Sequence, residues 1–211
     1  TLRIRIEHHG TVAWPIAEVN GVWQVASVVK SDAVMHAAGG MGASAADMAN
    51  WLRFQLTGKT PGGARLVSPA LLRDVQTEQV QDTQAGQGPP AHQRPGYSLG
   101  WFTGRLAAHR YLNHGGGYLG TATYVSFLPD EGVGVAVLMN EGPPNAVFPY
   151  VVANDVYGKL LGETLPDVLP EARRFAARGR ERMAQRVELA WNRFSGGEGL
   201  SQPIDRYAGR F

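Results

Sequence analysis

The sequence predicts an α+β fold, an antiparallel sheet with helices packed against it. Three observations carry that expectation. A hydrophobic period of two runs between residues 97 and 139. A segment of helical period opens at Ser44 with a start signal. A Val- and Tyr-rich helical segment, residues 146–161, follows the last strand and suits a helix lying on the sheet.

Each element follows from its residues. Residues 1–6 alternate apolar and basic, so a short strand is expected. Residues 8–35 read as loop, with a small hairpin turning at Asn20-Gly21, a strong turn dipeptide. The small residues of His36-Ala37-Ala38-Gly39-Gly40-Met41-Gly42-Ala43 permit close backbone packing. Ser44 then caps a helix, with Asp47 three residues on and a stripe of Met48, Trp51, Leu52 and Gln55 or Leu56; Gly58 should end it. Ser68-Pro69 starts a second helix through Leu71, Leu72 and Val75. Residues 81–96 read as a polar loop, and Tyr97–Phe102 as one strand. Arg110–Asn113 leads into His114-Gly115-Gly116-Gly117; Ala122–Leu128 and Val133–Met139 follow as strands, separated by Pro129-Asp130-Glu131-Gly132. Three or four antiparallel strands in sequence are expected. Residues 171–194 form a long helix with Ala176, Met183, Val187, Ala190 and Phe194 along one side and seven arginines mostly on the other. Ser195-Gly196-Gly197 ends it.

Composition narrows the function classes. Hydrophobic residues make up 44% and charged residues 18%, enough apolar material for a packed core. The net charge of +2 gives the chain as a whole no strong field for nucleic acid or membrane. With no cysteine there is no disulfide, thiolate nucleophile or Cys-ligated metal, and exported and cytoplasmic settings suit it equally. No apolar run approaches the ~20 residues that cross a bilayer. Thr1 and Phe211 both read like the middle of a longer chain.

Three stretches carry a resemblance. His36 to Leu52, reading HAAGGMGASAADMANWL, resembles the "AAGG-hydrophobic-x-S-x-x-D-hydrophobic-A-x-W/F" segment of the serine β-lactamase-related family, which includes class C β-lactamases, penicillin-binding-protein-like enzymes, D-aminopeptidases and esterases. Tyr97-Ser98-Leu99-Gly100-Trp101 followed by His114-Gly115-Gly116-Gly117-Tyr118-Leu119-Gly120 resembles its "G-x-G-W … H-x-G-G-x-x-G" pattern. Val125 to Asn140 is similar to its paired strands ending in "LxN". The order fits, over about residues 36–140. The resemblance implies a β-lactamase/transpeptidase-like fold of which this chain is the carboxy-terminal part, residues 1–168. A helical linker, 169–198, would follow. Residues 199–211 resemble the "L-x-x-Y-x-G-x-Y/F" opening of a second, small β domain.

The family uses a Ser-x-x-Lys nucleophile, a Tyr-x-Asn proton-transfer element, and a Lys/His-x-Gly element on an edge strand. By resemblance, His114 faces the cleft, Gly115 and Gly116 let substrate approach the backbone, and the Gly117 N–H is an oxyanion donor. The implied activity is hydrolysis of an ester, amide or lactam of a small-molecule or peptide substrate through an acyl-serine, without cofactor or metal. His in place of Lys removes a fixed cation, which weakens any preference for a β-lactam carboxylate and leaves esters and D-amino-acid peptides open.

Two local matches compete. Ser27-Val28-Val29-Lys30 fits Ser-x-x-Lys and Tyr111-Leu112-Asn113 fits Tyr-x-Asn. The surroundings of Ser27 and Lys30 read as loop or strand, not as the start of a buried helix, and Tyr111 shares a strand with His114. The nucleophile is therefore expected upstream of Thr1, with Ser27 and Lys30 as lesser candidates. Plainer readings stand beside these. His114 could be structural, and Gly115–Gly117 a simple turn or bulge. A non-catalytic binding module could keep the cleft and lack the nucleophile. The arginine-rich helix could grip nucleic acid, although Glu171, Glu181 and Glu188 break its charge and a solvated connector is the better fit. His8, His9 and His36 lack metal-ligand spacing. Trp14, Trp23, Trp51, Trp101 and Trp191 are expected mostly in the core or a cleft wall.

Overall fold

The computed structural model describes residues 12–19, 21–26, 39–81, 92–118, 120–142 and 146–195. The strand expected at 1–6, the pair Ser27 and Lys30, His36 and the segment 199–211 lie outside the described residues. The elements in chain order are β1 (Ile16–Val19), β2 (Val22–Val25), α1 (Ala45–Thr57), α2 (Pro69–Val75), β3 (Val80–Gln81), β4 (His92–Tyr97), β5 (Phe102–Leu106), β6 (His109–Tyr118), β7 (Thr121–Leu128), β8 (Val133–Met139), α3 (Phe148–Leu161) and α4 (Leu169–Ser195). The fold is α+β, as expected.

Strands β3 to β8 form one antiparallel meander in sequence order, six strands among the described residues where three or four were expected. The difference lies at one edge. Residues expected as a loop contain β3 and β4. The single strand expected over Tyr97–Phe102 is instead a hairpin: β4 ends at Tyr97 and pairs with β5 from Phe102. Gly100 at φ +96° makes the turn, and the Ser98 N–H and Oγ–H both donate to the Trp101 carbonyl, at 2.7 and 3.1 Å. Strands β1 and β2 pair in register Val19↔Val22, and Gly21 before β2 has φ +76°, which suits the turn expected at this point.

Helix α1 starts as its residues dictate. The Ser44 Oγ accepts from the Asp47 N–H at 3.2 Å while the Asp47 carboxylate accepts from the Ser44 N–H at 2.8 Å, a complete capping box. Gly58, at φ +67°, closes the last turn by donating to the Phe54 carbonyl. Ser68 likewise caps α2 through the Leu71 N–H.

The sheet is packed on both faces because its central strands carry apolar residues at successive positions. Met48 and Leu52 of α1 meet Trp101, Leu112, Val125 and Phe127. On the other face Ala153 and Tyr157 of α3 meet Leu106, Tyr111, Leu128 and Val135. The register pairs Leu112 with Phe127, so adjacent residues 111 and 112 send their side chains to opposite cores. Of the tryptophans, Trp101 is in the core and Trp51 walls a cavity beside α1, as expected, whereas Trp14, Trp23 and Trp191 are exposed. Helix α4 is buried only at its start, through Ala172 and Ala176, while Met183 and Val187 of the expected stripe face solvent. No helix among the described residues is long and apolar enough to cross a membrane.

Candidate functional site

Strand β6 is longer than the neighbour on one of its sides. Strand β5 pairs with it only from His109 to Asn113, the last pair being Phe102↔Asn113. Strand β7 pairs with it from Leu112 to Tyr118 without a register shift. Among the described residues, 109–113 are therefore interior, and 114–117 pair with a strand on one side only. An edge strand was expected for His114; it is an edge for half its length, because the β4–β5 hairpin turns back at Ser98–Trp101.

The half-open segment has defined ends. At its start, the His114 ring stacks on Phe102 at a centroid distance of 5.5 Å and meets the Tyr97 ring edge-on at 6.1 Å. Those rings come from the β4–β5 hairpin, and only the turn at Ser98–Trp101 brings both beside His114. At its far end, Gly120 lies under the β1–β2 hairpin: the Ile16 N–H donates to the Gly120 carbonyl at 3.2 Å and to the Asn140 carbonyl at 2.9 Å. A side chain at Gly120 would strike Pro15, so this glycine fits the hairpin against the sheet. Between these ends, His114, Gly115, Gly116 and Gly117 are all exposed.

The three glycines are strand residues, not turn residues. None has positive φ, and the continuous register excludes a bulge. Their reasons differ. A Cβ on Gly116 would sit 2.6 Å from the Thr123 Oγ1, so a side chain there would have to displace the Thr123 hydroxyl. A Cβ on Gly115 or Gly117 would meet ordinary contacts at 3.8 Å. What glycine supplies at those two positions is an uncovered backbone.

The His114 ring has a fixed tautomer when neutral. Its Nδ1 lies 2.7 Å from the Gly115 carbonyl oxygen, which can only accept, so Nδ1 carries the proton and Nε2 keeps the lone pair. Tyr111, by contrast, cannot serve a cleft. It is fully buried, packs edge-on against Tyr157 and bonds the Tyr124 hydroxyl at 2.6 Å. Burial pushes its hydroxyl well above the usual 10.0. Asn113 is also buried, and its Nδ2 has no partner among the described residues.

The Beta-lactamase family model matches residues 5–156, well over half of the chain. This chain belongs to the Beta-lactamase family. Among solved structures, the octameric penicillin-binding protein homologue from Pyrococcus abyssi is similar to it, with a TM-score of 0.49 and 22% identity over 61% of this chain and 27% of that one. The chain thus spans about a quarter of that protein's length. No curated protein sequence matches it.

Two other features of this Beta-lactamase-family chain lie apart from residues 114–117. A cavity of about 520 Å³ opens beside α1, walled by Met41, Ala43, Met48, Trp51, Phe54 and Leu66, and none of residues 114–117 lines it. His109, at the opposite end of β6, bonds Glu131 through Nδ1 and Glu163 through Nε2, the latter at 3.1 Å. The sequence offers no spacing that announces this cluster, since its members lie 22 and 54 residues apart. Its carboxylates approach opposite nitrogens of the ring, so they cannot share one metal ion with it. Among the described residues no group of three or more His, Asp or Glu could hold a metal.

Proposed function

We propose that this chain forms one wall of an acyl-serine hydrolase site, acting on an ester, amide or lactam, with the nucleophile supplied by sequence preceding Thr1. The observation that carries the reading is the half-open segment of β6: an exposed imidazole at its start, then three exposed glycines whose backbone a substrate can reach. In this reading the serine oxygen attacks the substrate carbonyl carbon and its proton passes to the family's lysine or tyrosine base. The leaving group then departs with a proton, and water hydrolyses the acyl-enzyme. The Gly117 N–H donates to the developing oxyanion. The loss of one such donor costs about 10²–10³-fold in kcat. Gly115 and Gly116 let substrate lie along the strand. His114 presents the Nε2 lone pair, stabilised in position by Phe102 and Tyr97, and can accept from substrate or from the base. In the same reading residues 1–168 belong to the catalytic domain, 169–198 link it onward, and 199–211 open a second small β domain.

A fluorophosphonate probe tests this directly. The full-length protein should be labelled, and the 211-residue chain should not. His114→Ala in the full-length protein should lower kcat/KM on the order of 10²-fold. Its unfolding midpoint should barely move, because the ring is exposed. Labelling of the 211-residue chain that Ser27→Ala abolishes would move the nucleophile to Ser27, with Lys30 as its partner. A full-length protein that binds penicillin reversibly and is never acylated is a binding module instead.

A further inference from the structure

We propose that His109 is a proton-operated latch on the link between α3 and α4: its imidazolium ties residues 163–168 to the sheet, and the neutral ring releases them. The reason lies in the ring's donors. Glu131 meets Nδ1, and Glu163 meets Nε2 at 3.1 Å. An imidazolium has an N–H for each carboxylate, whereas a neutral ring has one N–H and one lone pair. Once the proton leaves, one of the two carboxylates faces a lone pair and must withdraw. The hydrogen bond to Glu131, then that to Glu163, raises the His109 pKa above 6.5, so the release lies above that pH.

The surroundings decide which carboxylate goes. The Glu131 side chain, on the turn between β7 and β8, is 23% exposed, and its Oε2 is buried with no partner among the described residues. The Glu163 side chain is 45% exposed. The more buried carboxylate has less water to replace a lost donor, so Glu131 keeps the remaining N–H and Glu163 turns to solvent. The neighbouring charges are engaged elsewhere. Arg110 on β6 lies 3.9 Å from Asp130 on the same turn and donates to the Gln76 carbonyl at 2.8 Å. Lys159 on α3 pairs with Asp155 at 2.7 Å, Arg105 on β5 donates to the Ala108 carbonyl, and the β5 residue paired with His109 is Leu106. Other holds on the link remain after release. The Glu163 N–H donates to the Gly158 carbonyl at 3.0 Å, Asn154 Nδ2 donates to the Pro166 carbonyl at 3.1 Å, and Leu165 packs against the core. Losing the side-chain tie therefore loosens the link ahead of the buried Ala172 and Ala176 of α4 without unfolding α3.

Hydrogen exchange in the full-length protein, followed by mass spectrometry from about pH 6 to 9 and corrected for the intrinsic pH dependence of exchange, tests the latch. Protection of residues 163–168 should fall roughly two- to fivefold as His109 loses its proton, the size expected of one partly exposed charge pair. Protection of residues 129–133 should hold, because Glu131 keeps its donor. Glu163→Gln supplies the distinguishing variant. Its amide N–H can donate to the Nε2 lone pair of the neutral ring, and its carbonyl oxygen can accept from the imidazolium, so protection of the link should stay level across the range. Glu163→Ala, at an exposed position, should leave the link at the lower protection throughout. The proposal is overturned by any of three results: protection of 163–168 that is level in the parent, a fall that Glu163→Gln leaves undiminished, or a fall at 129–133 in place of 163–168.

Discussion

Glycine at three successive positions of β6 serves two different physical ends, and single substitutions separate them. Gly116→Ala places a methyl against the Thr123 hydroxyl, 2.6 Å from its ideal position. It should destabilise the chain by about 1–3 kcal/mol, the usual penalty for overpacking. Thr123→Ala removes the obstructing oxygen, so Gly116→Ala should cost markedly less in that background, and a double-mutant cycle by urea unfolding reads the difference. Gly115→Ala and Gly117→Ala meet only ordinary contacts and have no positive φ to lose. They should leave stability unchanged, or raise it by about 0.4–1 kcal/mol through the unfolded chain. If the full-length protein nevertheless loses activity with Gly115→Ala or Gly117→Ala, the loss reports on the path of the substrate along the backbone. If it does not, the open edge is not where substrate lies. His114 differs from all three because its ring rests on Phe102 and Tyr97 and carries no buried load.

The elements show where local signals are sufficient and where they are not. Helix α1 was legible in full, since Ser44, Asp47 and Gly58 act on backbone groups within a few residues of themselves. Ser44→Ala removes a cap and should lower stability by about 1 kcal/mol. Phe127→Ala empties the shared position under α1 and β6, and should cost about 3–5 kcal/mol. Thermal unfolding of both variants checks the ratio. Strand β4 was illegible because it reads HQRPGY. It can afford that composition near the rim, where β3 pairs with it only at Gly96 and Tyr97 and Pro95 needs no partner for a missing N–H. The turn at Ser98–Trp101 was misread for a related reason. Leu99 and Trp101 imitate the alternation of a strand, yet Trp101 is buried and Leu99 is exposed because Gly100 reverses the chain between β4 and β5. Long-range consequences of that turn, the half-open edge and the two rings on His114, could not be read without the pairing.

At the scale of the whole molecule, what binds the sheet to its covering helix at the end remote from His114 is a charge cluster. His109, on β6, bonds Glu131 on the turn between β7 and β8, and Glu163 just past α3. Arg110 and Asp130 flank it, 3.9 Å apart. The sequence does not mark these residues, because one titratable group every few tens of residues makes no local pattern; only folding brings them together. The hydrogen bond to Glu131, then that to Glu163, raises the His109 pKa above its ordinary 6.5. The sign follows from linkage. A group whose pKa is higher when folded binds its proton more tightly in the native state, so its stabilisation is complete below pH 6.5 and is lost as pH rises through the folded value. Between those values the native state holds more protons than the unfolded one, and unfolding free energy falls with increasing pH. A series of urea unfolding curves from pH 5.5 upward should therefore show this contribution level below pH 6.5 and declining above it. His109→Gln keeps a donor toward one carboxylate and has nothing to titrate, so the same series should lose that decline. Glu163→Gln should shrink it, and Glu131→Gln should shrink it more, because Glu131 makes the larger contribution. A His109→Gln variant that declines as steeply as the parent would place the titrating group elsewhere and leave this junction held by packing between α3 and the sheet alone.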